Sequence, residues 1–414
     1  MNVDVAIVGG GVAGLCCARH LQLQGLQCAV LEASDAVGGR VRTDEIDGFL
    51  LDRGFQVLLT AYPEALAMLD YEALQLGSFY SGALVRCDGD FERIADPLRH
   101  PVDGLQSLFN PVGTWFDKVK VGLLRRRVLR GEWERLFRQP LQTTENALRA
   151  EGFSPLMIER FFRPFLGGIF LERALHTPVS MCHFVLRMFS LGTAALPAAG
   201  MGAIPVQIAG SLPADCLHLR RRVSSIRSTT AVTDDGEAVT ARALVVATEG
   251  PAAAELLGID PPGSRQVTCY YFAAPRPPMD SPTLVLNGEG RGPINNLCVP
   301  NLVCPSYAPA DQALVSVTVL GDGYVEDDVR RQLREWYGQK VDEWRLLHRY
   351  AIPHALPVQQ PFAPLNQPAR SADGVYVCGD HRASPSLQGA MFSGRRTAEA
   401  ILSDWGLSSV RSNK

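Results

Sequence analysis

Residues 3–14 read Val3-Asp4-Val5-Ala6-Ile7-Val8-Gly9-Gly10-Gly11-Val12-Ala13-Gly14, a largely apolar run that leads directly into a glycine-rich turn. The apolar residues predict a short buried strand over Val3 to Val8, and apolar spacing predicts a helix over Val12 to Leu23. Gln27 to Leu31 is predicted as a second strand that closes in Glu32. A strand–turn–helix–strand unit at the start of a chain is typical of the doubly wound α/β class.

The glycine turn has the features of a site for the pyrophosphate of a dinucleotide. Gly9 and Gly11 permit tight backbone geometry, Gly14 allows close helix–strand packing, and the helix N-terminus presents free N–H groups to an anion. Glu32 follows Gly11 by 21 residues, where a carboxylate can accept hydrogen bonds from ribose hydroxyls. A glycine turn used only for packing is the alternative. This part of the expected cofactor site comprises Gly9, Gly11, Val12, Ala13, Gly14, Glu32 and Ala33.

The choice between NAD and FAD depends on the residues after Glu32. The run Ala33 to Arg40 contains a second glycine pair, Gly38-Gly39, that ends in arginine. Arg40 can neutralise a diphosphate with its planar fork of donors, although a solvated loop arginine is the plainer alternative.

These motifs resemble the flavin amine oxidase, protoporphyrinogen oxidase and phytoene desaturase superfamily. The resemblance is carried by Gly9–Leu15, Leu31–Ala33, Gly38–Arg40, Leu51-Asp52-Arg53-Gly54-Phe55, Pro197–Gly202, Val245–Thr248 and Gly374–Asp380. It implies a Rossmann-like FAD-binding domain of the glutathione-reductase type, interleaved with an α+β substrate domain. The alternation of strand and helix patterns along the chain predicts the boundaries, at 1–75, 196–255 and 370–408 for the first domain, and at 76–195 and 256–369 for the second.

The resemblance also implies the rest of the cofactor site. Gly54 and Phe55 belong to it, Val223 would set backbone groups against the adenine, and Asp380, after Gly379, would meet the ribitol chain. A helix beginning at Gln388-Gly389-Ala390 would direct its N-terminal dipole at the pyrimidine ring of the reduced flavin. Cys378 precedes the Gly379-Asp380 pair and does not match the covalent-flavin position of monoamine oxidases, so FAD is expected to be non-covalent.

The substrate side resembles the porphyrinogen oxidase and desaturase branches, at Phe161–Phe165, Gly167–Phe170 and Arg349–Pro357. Amine oxidases of the superfamily usually carry a lysine on a substrate-domain strand, but residues 267–325 contain no lysine. The resemblance therefore implies dehydrogenation of a hydrophobic, isoprenoid or tetrapyrrole-like substrate by hydride transfer to flavin N5.

Several alternatives remain open at this point. They are amine oxidation, a redox-neutral carotenoid isomerase, a catalytically silent flavin-binding protein and an NAD(P)-dependent Rossmann enzyme. Oxygen or quinone is the expected electron acceptor. No catalytic side chain is identified: His176, His183, His348 and His354 lie near family-like segments, but each is better explained as a packed or capping histidine.

The composition of the chain limits the classes of partner that we expect it to bind. A net charge of −3 disfavours nucleic acid, and the ten cysteines show no metal-ligand or disulfide spacing. The absence of a signal peptide and of a long apolar run favours the cytoplasm, with peripheral membrane contact at most. The segment 98–140 is predicted to be helical. Between Lys118 and Arg138 it combines eight basic residues with aromatic ones, which suits either an interfacial helix or a surface helix packed on its own domain.

Overall fold

The computed structural model describes residues 2–138, 141–360, 366–371 and 373–407. Gln139 and Pro140 at the end of the predicted helical segment, residue 408 at the predicted domain end, and Lys414 lie outside the described residues.

Two large sheets organise the chain. The strands are β1 Asn2–Val8, β2 Cys28–Leu31, β3 Thr43–Ile46, β4 Phe49–Asp52, β5 Leu58–Leu59, β6 Gly77–Ser78, β7 Gly82–Cys87, β8 Asp90–Ala95, β9 Ala194–Leu196, β10 Leu217–His218, β11 Val223–Arg227, β12 Thr230–Thr233, β13 Ala238–Val246, β14 Ser264–Ala274, β15 Leu284–Asn287, β16 Ile294–Cys298, β17 Ala313–Leu320, β18 Arg345–Pro357 and β19 Tyr376–Val377.

The helices lie against the faces of these sheets and between them. They are α1 Val12–Gln22, α2 Pro63–Met68, α3 Tyr71–Leu74, α4 Pro101–Ser107, α5 Trp115–Val128, α6 Thr144–Ala150, α7 Pro155–Met157, α8 Arg163–Phe170, α9 Val179–Leu191, α10 Ala203–Ala209, α11 Gly250–Leu257, α12 Pro300–Val303, α13 Glu326–Tyr337 and α14 Leu387–Asp404. A π-helical turn, Ile158–Phe162, leads into α8. None of the helices in the described ranges is long and apolar enough to cross a membrane.

The first sheet has the order β10-β2-β1-β13-β12-β11, with β19 paired to β13. Its centre is parallel: Ile7 of β1 lies opposite Val30 of β2 on one side and Val245 of β13 on the other. Helices α1 and α14 pack together on one face, where a Cβ atom at Gly394 would lie 2.3 Å from the Ala13 carbonyl oxygen. The sheet thus joins three separate parts of the chain, and the α/β class predicted from the opening residues is confirmed.

The second sheet has the order β18-β14-β17-β16-β15-β7-β8. It is antiparallel except where β15 pairs with β7, which brings Val285 opposite Leu84 in parallel register. Strands β14 to β17 form its antiparallel centre, with β14 paired to β17, β17 to β16 and β16 to β15. Helix α13 covers one face of this sheet with Val329, Leu333 and Trp336.

Candidate functional site

A continuous cavity of about 1310 Å³ runs from the glycine turn before α1 to helix α5. Pockets for small ligands are typically about 300–1,000 Å³, so this one has room for more than one small molecule. Its walls come from the first sheet at one end and from the second sheet and helices α5, α8 and α9 at the other.

The glycine turn forms the first end of the cavity. Gly9 has a φ of 110°, which glycine adopts readily, and its N–H donates to the Leu31 carbonyl oxygen at 2.9 Å. Gly11, at the N-cap of α1, provides no side chain to cap the helix, so the first N–H groups of α1 face the cavity lined by Gly11, Val12 and Ala13. Gly14 lies behind this surface: a Cβ atom there would be 2.1 Å from the Gly9 carbonyl oxygen.

Glu32 lies at the carboxyl end of β2, is buried and lines the cavity. Its Oε2 accepts a 2.6 Å hydrogen bond from the Gly10 N–H, and its Oε1 accepts from the Ser34 N–H and hydroxyl at 2.8 and 2.6 Å. The carboxylate therefore fixes the glycine turn and the following loop. Oε2 accepts one hydrogen bond and so keeps a lone pair for a further donor, whereas Ser34 uses both lone pairs of Oε1. Ala33 and Ser34 line the cavity as well.

Arg40 and Asp380, which sequence motifs 340 residues apart assigned to the same cofactor, contact each other. The Arg40 guanidinium donates to Asp380 Oδ1 at 2.6 Å and to the Ala355 carbonyl oxygen at 2.8 Å. The Asp380 side chain is 7% exposed and that of Arg40 is 31% exposed. Both residues line the cavity together with Gly39 and Gly379, so a partly buried charged pair forms part of its wall.

Other predicted cofactor residues lie on the same wall. Gly54, Phe55, Val223 and Ala390 all line the cavity. Gly54 has a φ of 88°, and a Cβ atom there would be 2.7 Å from Ile352, so glycine allows β18 to approach closely.

Two residues at the start of α14 lie away from the cavity lining. Gln388 is buried, and its Oε1 accepts from the Glu64 N–H at 3.0 Å, so the side chain points toward α2. Gly389 packs on Ser384, and its N–H donates to the N-cap hydroxyl of Ser386 at 3.0 Å. Together with Gly14, these residues support the cavity wall from behind, while Ser386, Leu387 and Ala390 form it.

The residues of this cavity fit FAD. An uncapped helix N-terminus and Arg40 offer two sites for phosphate, and Glu32 offers a carboxylate for hydroxyl groups. Thr248 also lines the cavity, and its Oγ1 is buried without a hydrogen-bond partner among the described residues. Such a hydroxyl is satisfied when a polar group of a ligand reaches it.

Sequence reasoning missed Ser34, Arg42 and Glu249 as parts of this wall. Ser34 could have been found, because a serine two residues after a strand-end acid commonly donates to it. No sequence signal of this kind marks Arg42, whose guanidinium forms a 2.9 Å ion pair with Asp35.

Beyond Arg40 the cavity becomes apolar. The π-helical turn, α8 and α9 contribute aromatic and aliphatic side chains, among them Phe161, Phe165, Ile169, Leu186 and Phe189. Phe165 lies 5.3 Å from both Phe161 and Phe189 between ring centroids. We refer to this part, with its five named residues, as the apolar chamber.

One polar pair lies in the wall of the apolar chamber. Asn296 on β16 donates from Nδ2 to the Thr318 hydroxyl on β17 at 3.1 Å, and both residues line the cavity. Asn296 Oδ1 accepts from Asn295, and a Cβ atom at Gly168 would be 2.9 Å from it. The predicted glycine segment thus lets α8 lie directly on this pair.

The far end of the chamber is surrounded by charges that are mostly positive. Arg99, Lys118 and Arg125 line it together with a single acid, Asp96, which binds Arg125 at 2.6 Å and lies 3.8 Å from Arg99. Lys118 donates to two backbone carbonyl oxygens, and partial burial lowers its pKa. No carboxylate here is left to bind an ammonium group among the described lining residues.

Proton-transfer residues are not evident in the chamber. His176, His183, His348 and His354 are all absent from the described cavity lining. Asp52 lies behind the wall: it accepts from Thr43 at 2.5 Å, from the Met201 N–H at 2.8 Å and from Tyr307 at 2.9 Å. Burial nevertheless raises the pKa of Asp52 to about 6.

Residues 12–402 match the family model described as flavin containing amine oxidoreductase. Putrescine oxidase of Kocuria rosea is 44% identical over 72 residues, which are 17% of this chain and 15% of that protein. A 15-cis-phytoene desaturase of Synechococcus elongatus is 31% identical over 141 residues, which are 31% of this chain and 29% of that protein. Both matches thus cover less than a third of the relative's length.

Solved structures share the whole fold. The crystal structure of an oxidoreductase from Methanosarcina mazei superposes with a TM-score of 0.74, covering 96% of this chain and 100% of that one. The two chains are 17% identical, so this likeness concerns architecture.

Proposed function

Because this chain belongs to the family of flavin-containing amine oxidoreductases, we propose that it dehydrogenates a hydrophobic, isoprenoid or tetrapyrrole-like substrate with bound FAD. The observation that carries the proposal is the single cavity that joins the glycine turn to the apolar chamber. Oxygen or a quinone then takes up the electrons. A substrate of this kind partitions into lipid, so the proposal includes peripheral contact with a membrane.

We also propose that the two sheets belong to two domains, one that binds the cofactor and one that binds the substrate. Residues 1–75, 196–255 and 370–408 would form the cofactor domain, and 76–195 with 256–369 the substrate domain. The first sheet takes its strands from the former set, and the second takes them from the latter. This arrangement puts the cavity between the two sets.

The cofactor would be held without a covalent bond. FAD supplies a hydride acceptor when it is bound. The N–H groups at the start of α1 and the Arg40 guanidinium would bind its phosphates, and Glu32 would bind ribose hydroxyls. Asp380, already fixed by Arg40 at 2.6 Å, would accept a hydrogen bond from the ribitol chain. Gly54, Phe55, Val223 and Ala390 would shape the remaining wall.

The chamber favours a neutral apolar substrate over an amine. Burying an apolar molecule against Phe161, Phe165 and Phe189 excludes water and is favourable in proportion to the area covered. An ammonium group would meet Arg99, Lys118 and Arg125 on its way in, while Asp96 is already paired. The Thr318 hydroxyl, which accepts from Asn296, keeps its own proton to donate to an oxygen of the substrate.

A visible absorption spectrum tests the cofactor part of the proposal. The purified protein should be yellow, and heat denaturation should release FAD into solution, since the binding is non-covalent. A colourless protein that binds NAD(P)H instead would contradict the proposal.

Anaerobic mixing tests the reaction. A polyene or a porphyrinogen should bleach the oxidised flavin, and a primary or secondary amine should leave it oxidised. Bleaching by the amine alone would replace the proposal with amine oxidation. Isomerisation of a carotenoid only after prior reduction of the flavin, without net electron transfer, would replace it with isomerase activity. Oxidised flavin with every class of substrate would indicate a silent flavin-binding protein.

A further inference from the structure

Exposed apolar side chains are concentrated in one short part of the chain. Among the described residues, nineteen large apolar side chains are exposed, and eight of them lie within residues 98–123. They are Leu98, Val102, Leu105, Phe109, Trp115, Phe116, Val119 and Leu123, each between 44% and 83% exposed. Every exposed phenylalanine or tryptophan of the described residues is among these eight. We refer to this set as the apolar patch.

In helix α5 the exposed apolar side chains lie on a single face. With about 100° of rotation per residue, its side chains separate into three faces. Asp117, Leu124 and Val128 are buried against the protein. A second face, formed by Lys118, Val121, Gly122 and Arg125, lines the cavity. The third face, with Trp115, Phe116, Val119 and Leu123, points outward, where a surface helix ordinarily carries polar side chains.

The second part of the apolar patch comes from α4 and its flanking residues. Val102, Leu105 and Phe109 are spaced like one side of a helix, and Phe109 is 83% exposed. Lys118 ties this part to α5, because its Nζ donates to the carbonyl oxygens of Leu108 and Asn110 at 3.0 and 2.9 Å. The two helices therefore present their apolar sides from one connected unit.

Positive charge borders the apolar patch. Arg126 lies on the outward side of α5, three residues after Leu123, and Arg130 lies just beyond the end of that helix. Both are exposed, and neither side chain forms an ion pair or hydrogen bond with any described residue. Lys120 is half-buried, and its Nζ donates to the Gly152 carbonyl oxygen. In contrast, Trp133 and Phe137, in the basic segment singled out from the sequence, turn inward and pack on Phe184.

The mouth of the cavity opens within this surface. Leu98 belongs both to the apolar patch and to the cavity lining, and Val121 and Gly122 line the cavity one helical face away from Leu123. An apolar molecule leaving a lipid phase beside Leu98 would thus reach the cavity lining directly.

We propose that the apolar patch, with Arg126 and Arg130, docks the protein on an anionic lipid bilayer, so that the cavity mouth faces the lipid. The purpose of this docking rests on the proposed function, whereas the evidence for it is the exposed apolar patch with its neighbouring arginines. Apolar side chains that enter the interface beside unpaired arginines are the combination that binds membranes containing anionic lipid.

Vesicle flotation tests the docking with the flavin-loaded protein. It should float with vesicles of phosphatidylcholine and phosphatidylglycerol, and less with phosphatidylcholine alone. The triple variant Phe109→Ser, Phe116→Ser and Leu123→Ser should bind at least about tenfold more weakly. The matched control, Leu23→Ser, Val206→Ser and Ile259→Ser, removes side chains of similar exposure elsewhere and should float like the wild type. Arg126→Gln with Arg130→Gln should abolish the preference for anionic vesicles.

Tryptophan quenching gives a readout that needs no destabilising change. Brominated lipid should quench part of the tryptophan fluorescence, and Trp115→Phe should remove that part.

Wild-type protein that stays in solution with both vesicle types would overturn the docking proposal, as would a triple variant that floats normally. A dimer that the triple variant converts to monomer, without vesicle binding, would assign the patch to a second copy of the chain. Flotation does not depend on redox activity, so vesicle binding by a protein whose flavin no substrate reduces would contradict the proposed function and leave the docking intact.

Discussion

Gly11→Ala separates the cofactor role of the glycine turn from its role in folding. An alanine Cβ at this position meets no atom within 4 Å, and Gly11 has a φ of −72°, which any residue adopts. The methyl group would occupy open space where Gly11 lines the cavity, beside the free N–H groups of α1.

The expected change in stability is small because two effects oppose each other. Alanine at an N-cap costs roughly 0.5–1 kcal/mol relative to glycine, while the loss of chain freedom in the unfolded state contributes about 0.4–1 kcal/mol of stability. The free energy of unfolding should therefore change by less than about 1 kcal/mol.

Flavin affinity should fall much further. A hydrogen bond from the helix N-terminus to a charged phosphate contributes about 1.5–3 kcal/mol, and the methyl group obstructs that contact. The loss of one such bond raises the Kd for FAD roughly tenfold to a hundredfold.

The assay is titration of flavin-free protein with FAD, followed by flavin fluorescence, alongside urea unfolding of the same samples. Gly323→Ala is the matched control, since a Cβ atom there also meets no atom within 4 Å and Gly323 is outside the described cavity lining. Unchanged FAD affinity in Gly11→Ala would refute the assignment of phosphate to this turn.

Three further substitutions test the supporting structure. Gly14→Ala should destabilise the fold by about 2–3 kcal/mol or more in urea unfolding, because its Cβ would lie 2.1 Å from the Gly9 carbonyl oxygen; wild-type stability would contradict the close packing. Arg40→Met should cost about 1–3 kcal/mol, since Asp380 loses its partner, and should weaken FAD binding, which Arg40→Lys should restore only in part; undiminished binding would remove Arg40 from the site. The pKa of Asp52 is raised to about 6, so the folded state favours the protonated carboxyl. The stability that the protonated carboxyl contributes is fully present below the pKa of the unfolded chain and is lost as the pH rises through about 6. Asp52→Asn should remove a pH-dependent loss of up to about 3 kcal/mol between roughly pH 3 and pH 7, and an unchanged pH profile would contradict a buried, hard-to-ionise Asp52.

The local sequence pattern was sufficient to predict the strand, the helix and the acidic residue at the glycine-turn end of the cavity. The strand before Gly9, the helix after Gly11 and the acid at the end of β2 all lie within the first 32 residues of the sequence, and the structure has them as β1, α1 and Glu32 with boundaries shifted by a residue or so. The secondary structure of such a unit can be predicted because the spacing of its apolar residues differs between a strand and a helix.

Long-range contacts could not be predicted in the same way. Arg40 and Asp380 were each assigned to the cofactor, but their mutual ion pair depends on how distant segments meet. Gln388 and Gly389 were assigned correctly to a helix start, yet their side of α14 faces α2 and Ser384, because the rotation of a helix is set by what packs on it. For the same reason, the apolar patch lies in residues 98–123 and does not include Trp133 and Phe137.

The rate of anaerobic flavin reduction tests the central claim most directly. The claim is that one cavity holds FAD at one end and an apolar substrate at the other. We expect a lipophilic polyene or porphyrinogen to reduce the bound flavin and an alkylamine to leave it oxidised. Reduction by the alkylamine, with none by the polyene or the porphyrinogen, would contradict the account.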